Sequence, residues 1–366
     1  MRVVVAAAAL APAESQAPPL SAAAVGAAVA QGWADVGAEV AVVPLAESGA
    51  GFLAACADLA ATSSTEVSDQ GRAVISRDLL AVGLGPQAAT DALIDPSASS
   101  APLGVALRSA LQQAATDRLS PRAVVVDLGG LPAFDGGAGF LSALGAAANV
   151  QLEAGLPELA LANLELQPAV QFLAEMAPAA SFSAAVPSSD ASVQLLGLRG
   201  VTSLRGRQQG LDPALMLHLD SSLENLAQSS NTAGVPTDPA LVKVPGAGAA
   251  GGTGWAVLAL GGAIATGSSW LAEQTQLAST VRAADLALVV VDRFDFATRG
   301  GGVVATVSEA AQAAGRPCIV LSQEVSIGVR EMRTFGVEAA YQVTSGAQLA
   351  ARLRLESSRI ARSWRW

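Results

Sequence analysis

The sequence predicts two α/β domains, one of them built on a parallel sheet that takes strands from both chain ends. Three observations carry this expectation. Strand and helix signals alternate near the N-terminus and return in the same order near the C-terminus. The strand segments are near-continuous Val, Ala and Leu runs, as expected for strands buried on both faces. At 366 residues the chain is long enough for two domains of ordinary size.

Residues 3–8 read as the first strand. Ser21 caps a helix whose apolar stripe is Val25, Val29, Trp33 and Val36, and Gly37 stops it. Residues 39–45 read as a strand and 52–59 as a helix. The small, polar stretches 62–69 and 95–100 read as loops. A helix over 103–115 leads to a strand over 123–128, which runs into a glycine-rich loop. Toward the C-terminus, 286–291 is a strand, 303–314 a helix and 318–321 a strand, followed by a helix over 327–335 and a strand over 339–343. The middle, 194–238, is irregular, with 228–238 as a linker. Repeated strand–helix–strand units predict a parallel sheet with helices on both faces. Residues 1–75 and 280–366 are assigned to that domain, and 76–279 to an inserted α/β domain carrying the glycine-rich loops.

Hydrophobic residues make up 51% of the chain and charged residues 14%, which leaves ample material for a core and excludes disorder. The net charge of −10 and the acidic pI near 4.7 exclude a nucleic-acid-binding face. Of the 21 basic residues only Lys243 is a lysine, so any mechanism needing two lysines is excluded. Cys56, Cys318 and the lone His218 show no metal-ligand spacing and no disulfide framework. The cysteines read as small buried hydrophobes, and His218 as part of a helical run with no nucleophile motif to pair with it. The longest apolar run, 255–266, is too short and too glycine-rich to span a bilayer. The start, Met1-Arg2-Val3-Val4-Val5 followed by alanines, fits a signal peptide or a buried first strand. The strand is the preferred reading, and with it a soluble cytoplasmic protein.

Three segments are dense in glycine: 129–139, 245–254 and 300–302. The first follows a strand and precedes a helix, where glycine lets the backbone approach a ligand and free N–H groups attract anions. None matches a Walker A sequence or a dinucleotide fingerprint. Glycine in an alanine-rich chain also serves close packing, so an anion site and a packing role both stand.

These residues carry a resemblance. Through the segments Gly246-Ala247-Gly248-Ala249-Ala250-Gly251-Gly252 and Asp135-Gly136-Gly137-Ala138-Gly139 above all, the chain resembles the type I glycerate kinases nearly end to end. Also similar are Leu20-Ser21-Ala22-Ala23-Ala24-Val25, then Leu195-Leu196-Gly197 with Gln208 and Gly210, and Ala284-Asp285-Leu286. The resemblance implies two α/β domains, one with a Rossmann-like sheet, and an active-site cleft between them. It also implies ATP with Mg2+ as phosphoryl donor and glycerate, or a similar small acid, as acceptor. By the same resemblance the candidate catalytic residues are Asp135, Asp190, Arg293 and Asp295. The candidate substrate- and nucleotide-binding residues are Gly129, Gly130, Gly136, Gly137, Gln208, Gly246, Gly248, Gly251 and Gly252.

The departures fall where the family does its chemistry. An Ala-Pro-Asp-Ser-Phe-Lys-type start is replaced by Ala11-Pro12-Ala13-Glu14-Ser15-Gln16-Ala17, and an Asp-Gly-Gly-Glu-Gly segment by Glu47-Ser48-Gly49-Ala50-Gly51. Leu131-Pro132-Ala133-Phe134 stands in the polar middle of the first glycine loop. Family lysines align with Gln209 and Gly302, so every site lysine that can be aligned is absent. Arg199, Arg205, Arg207, Arg293 and Arg299 are the cations available in their place. Asp135 is expected to accept the acceptor's hydroxyl proton or hold Mg2+, or else to serve as an Asx turn or helix cap. Two functional readings follow: a divergent ATP-dependent kinase of glycerate, and a pseudokinase kept for ligand or protein-partner binding. The lost charge donors favour the second.

Overall fold

The Val-rich start forms strand β1 (Arg2–Ala7), followed by α1 (Ala22–Ala34), β2 (Glu39–Pro44) and α2 (Phe52–Ala60). Next come β3 (Thr65–Glu66), β4 (Gly71–Ile75), β5 (Leu79–Leu84), α3 (Ala101–Thr116), β6 (Ala123–Asp127) and α4 (Ala138–Leu144). They are followed by β7 (Ala147–Ala148), β8 (Leu164–Glu165), α5 (Gln167–Met176), β9 (Ser181–Val186), α6 (Val201–Gln209) and α7 (Pro213–Gln228). Then β10 (Ser230–Thr232), β11 (Val235–Pro236), α8 (Ala249–Ala259) and β12 (Ala263–Thr266) complete the middle. The C-terminal part holds α9 (Gly267–Gln274), α10 (Leu277–Ala283), β13 (Leu286–Asp295), α11 (Gly302–Ala313) and β14 (Cys318–Ser326). It ends with α12 (Val329–Thr334), β15 (Ala339–Gln342) and α13 (Leu349–Ser363). This computed structural model describes the chain except residues 12–17, 50, 63, 85–94, 96, 153–155, 297–301, 345, 347 and 365–366.

The chain divides into two units. Unit 1 comprises Met1–Glu47, Ala54–Ala61 and Gly267–Trp366, and unit 2 comprises Ser48–Leu53 and Thr62–Thr266. Unit 1 holds a five-stranded parallel sheet in the order β15-β14-β13-β1-β2. Strand β1 lies inside that sheet, and Val3 to Ala7 are buried, which explains their unbroken apolar run. Both chain ends therefore build one sheet, as expected. Strands β13 and β14 run past their apolar cores because Arg293, Phe294 and Asp295 pair with Glu324, Val325 and Ser326.

Unit 2 holds a six-stranded sheet in the order β12-β9-β6-β5-β4-β3. Its first four strands are parallel, and β4 and β3 add antiparallel pairings at one edge. The expected domain border at 75 is thereby corrected. Strand β4 bonds to β5, so the chain belongs to unit 2 from Thr62, and it returns to unit 1 at Gly267 rather than at 280. A second, four-stranded sheet, β11-β10-β8-β7, corrects the expected linker over 228–238. Asn231 and Thr232 pair with Pro236 and Val235 in a hairpin. The stretch before it is helical: Asp212 caps α7 by accepting from the amides of Ala214 and Leu215, and Pro213 takes the first helical position.

In unit 1, Ser21 caps α1 as expected, its hydroxyl accepting from the Ala24 amide. Helix α13 lies against α1, and Arg354 donates to both carboxylate oxygens of Asp35. The close approach depends on Gly32. A Cβ there would lie 2.4 Å from the Arg354 carbonyl oxygen and 2.9 Å from the Ser358 amide nitrogen, both backbone atoms. Gly32→Ala therefore sets two effects against each other. Helix propensity favours alanine by about 1 kcal/mol, while overpacking costs about 1–3 kcal/mol. We expect a net loss of stability on urea unfolding, with an unchanged m-value; a stabilised variant would show that α1 and α13 do not pack this closely.

Candidate functional site

The site lies in unit 2, beyond the C-terminal end of β6. The strand Ala123-Val124-Val125-Val126 is buried throughout, and Asp127 closes it at 5% exposure. One carboxylate oxygen of Asp127 accepts from Ser48 Oγ at 2.5 Å, from the Gly49 amide at 3.0 Å and from the Gly129 amide at 3.1 Å. The other oxygen is also 3.0 Å from the Gly49 amide nitrogen. Burial pushes the Asp127 pKa from 3.8 up to about 7, against the pull of these donors. Sequence reasoning missed this residue. Its signal was an acid ending a buried apolar strand directly before two glycines.

Asp135 belongs to the loop's own architecture. It is 0% exposed and accepts five hydrogen bonds. Four reach one oxygen: Ser99 Oγ, Ser100 N, Ser100 Oγ and Gly139 N, at 2.8–3.2 Å. The fifth, from Gly137 N at 2.9 Å, reaches the other. Ser100 and Gly137 are the N-caps of α3 and α4, so one carboxylate ties two helix starts together, where the helix dipoles favour negative charge. Burial pushes its pKa up while the five donors oppose the rise. Phe134 beside it is buried in the core. Of the two roles expected for Asp135, these bonds are those of the turn-and-cap aspartate.

Most amides of the segment 245–254 for which partners are seen donate within the chain. Gly246 and Gly248 both donate to the Val193 carbonyl, at 2.9 and 3.1 Å. Ala247 donates to Val244, Ala249 to Gly246 and Gly252 to Gly248, while the Gly251 carbonyl accepts from Gly136 N at 2.9 Å. The Ala250 amide donates to Asp190, and Arg205 from α6 is hydrogen-bonded to the same carboxylate. Burial raises the Asp190 pKa, and the Arg205 charge opposes this. The glycines permit close approach: a Cβ on Gly251 would lie 2.1 Å from the Ala133 carbonyl oxygen, and one on Gly252 would lie 2.7 Å from Gly136 Cα. Of the two roles open to these glycines, packing is the one they visibly perform.

The remaining expected residues lie on several different elements. Gln208 is exposed on α6 and accepts from Arg205 at 3.5 Å. Gly130 is exposed, with nothing within 4 Å of its Cβ position. Arg293 and Asp295 lie in unit 1, on the extended end of β13, where the exposed Arg293 pairs with Glu324 at 3.2 Å and lies 3.9 Å from Asp295. Arg199, Arg207 and Lys243 are exposed. The altered stretch 12–17, Arg299 and Gly300-Gly301 lie outside the described residues. Cys56 and Cys318 are buried and not joined in a disulfide, as expected. Among the described residues no group of three or more His, Cys, Asp or Glu is placed to hold a metal ion, and no helix is long and apolar enough to cross a membrane.

The glycerate kinase family profile matches residues 12–362. The chain belongs to this family. Among similar proteins, the glycerate 2-kinase of Escherichia coli K12 is 26% identical over 348 residues, covering 88% of this chain and 87% of that protein. A glycerate kinase of Bacillus cereus is 30% identical over 223 residues, covering 61% of the chain. An uncharacterized Mycobacterium bovis protein is 31% identical over 245 residues, covering 66% of the chain. These last two matches span 57% and 55% of the relatives' own lengths. A crystal structure from Salmonella typhimurium LT2 assigned to glycerate kinase 2 superimposes with a TM-score of 0.75 at 23% identity, covering 99% of this chain and 98% of that one, a likeness of fold.

Two outcomes follow from the aspartates of this glycerate kinase family member. In Asp135→Asn the amide NH2 faces an N–H donor whichever way it turns, because both carboxylate oxygens only accept. We expect a loss above the ~1 kcal/mol scale of an ordinary cap, read by urea unfolding; a change at or below that scale would show that the buried network does not hold the two helix starts. For Asp127 the folded pKa is raised, so its contribution is complete below about pH 4 and is lost as pH rises through about 7. The stability of the wild type relative to Asp127→Asn should fall over this window, by at most about 1.4 kcal/mol per pH unit. A flat or rising difference would mean that Asp127 is ionised throughout.

Proposed function

We propose that this chain keeps the glycerate kinase fold while glycerate phosphorylation is weak or lost, and that it acts as a ligand-binding or partner-binding module. The observation that supports this reading is the use made of the loop amides. Phosphoryl transfer depends on cations, metal and N–H donors aimed at the moving group. Here the amides of Gly49, Gly129, Gly137, Gly139 and Ala250 donate to the chain's own Asp127, Asp135 and Asp190. A carboxylate in such a place repels the phosphate that would replace it. Among the described cations, Lys243 is exposed outside the motifs and Arg205 is paired with Asp190. One missing preorganised donor costs about 3–4 kcal/mol, some hundredfold to thousandfold in rate.

ATP, Mg2+ and a glycerate-like acid enter the reading through the family alone, as does a cytoplasmic location. Mg2+ takes carboxylate oxygens with free lone pairs. Asp127 and Asp135 accept from amides and hydroxyls, and Asp190 accepts from Arg205 and Ala250. A metal ion at these acids would have to share their oxygens with donors of the chain itself.

The test is ADP release from Mg-ATP by the purified full chain, with and without D-glycerate. We expect no glycerate-dependent release. A glycerate-dependent rate on the order of 1 s−1 or more, the ordinary enzyme range, would overturn the proposal and favour the divergent kinase.

A further inference from the structure

We propose that Asp127 is an internal ligand: its carboxylate fills an oxyanion site made by Ser48 Oγ and the amides of Gly49 and Gly129, and so keeps external carboxylates and phosphates out. The inference deepens the proposed loss of transfer and rests on the same loop. Three donors from two separate chain segments converge on one oxygen of Asp127, all within 3.1 Å. The convergence depends on glycine, because a Cβ on Gly129 would lie 2.3 Å from the Gly49 nitrogen. Its donors among the described residues, one hydroxyl and two amides, are neutral, so Asp127 brings its own negative charge to them. An external carboxylate or phosphate offers the same acceptor oxygens.

The rim of the site faces outward. Ser48, Gly49 and Gly129 are half-buried, and Gly130 beyond them is exposed with open space on its Cβ side. Once Asp127 is trimmed, Ser48 Oγ keeps an acceptor in the Ala185 carbonyl, 3.1 Å away. The two amides lose theirs, and unpaired amides at a half-buried place favour an incoming anion. The raised Asp127 pKa agrees with a charge that its neutral donors compensate only in part.

The experiment is thermal melting of the full chain at pH 8 in increasing formate or phosphate, against sodium chloride of equal ionic strength. Wild type should respond as it does to chloride. Asp127→Ala should gain a saturable rise of several degrees through mass action, and Ser48→Ala in the same chain should weaken it. Should Asp127→Ala not fold, Asp127→Ser replaces it, and folding restored by formate supports the proposal. An Asp127→Ala response no larger than that of wild type overturns it. So does a response unchanged by Ser48→Ala, or failure of both Asp127 variants to fold even in formate. Glycerate-dependent turnover by the wild type would overturn the proposed function and leave this inference standing.

Discussion

Amides drawn into the interior of unit 2 must find acceptors, and three aspartates supply many of them. The loops at 129–139 and 245–254 approach backbone to backbone, a contact that glycine alone allows. Close approach removes water from the peptide groups and leaves N–H donors that cost free energy if unpaired. In a chain with only 14% charged residues, few side chains are at hand to accept them. Asp127, Asp135 and Asp190 do so from buried positions. The fold of the loops, the burial of the carboxylates and the pairing of these amides with them are one arrangement.

The same arrangement separates shape from chemistry. The glycine segments singled out in the sequence pack backbone against backbone, with Gly251 beside Ala133 and Gly252 beside Gly136. Arg205 illustrates the difference. It is a cation in the right motif, yet its guanidinium is paired with Asp190 and neutralises an internal acid. Family membership accordingly speaks to architecture more firmly than to turnover.

Unit 1 rests on a different constraint. Its parallel sheet buries β1 between β13 and β2, with helices such as α1 and α13 packed in close register. Burial of this kind needs apolar side chains and small residues at contact points, and the N-terminal Val/Ala run and Gly32 meet the need. Arg293 and Asp295 were singled out by motif, and here they extend a strand on which Arg293 pairs with Glu324 and lies near Asp295. Ion pairs that exposed contribute about 0–1 kcal/mol.

The sequence by itself determined the α/β class, the union of both chain ends in one sheet, the Ser21 cap and the buried, unbridged cysteines. Each depends on local pattern: apolar periodicity, a cap residue before a helix, spacing of cysteines. Only the tertiary structure decided the domain border, because the placement of β4 depends on pairing with β5 and not on its own composition. It also decided that 228–238 is part of a small sheet, since strands two or three residues long carry no periodicity to read. The site divided in the same way. Gly129 and Asp135 were legible as residues of a special loop, but whether a glycine frees an amide or an acid meets a ligand depends on what stands opposite. Asp127 was not legible, because Ser48 lies far from it in sequence, and only folding brings the hydroxyl and the carboxylate within hydrogen-bonding distance.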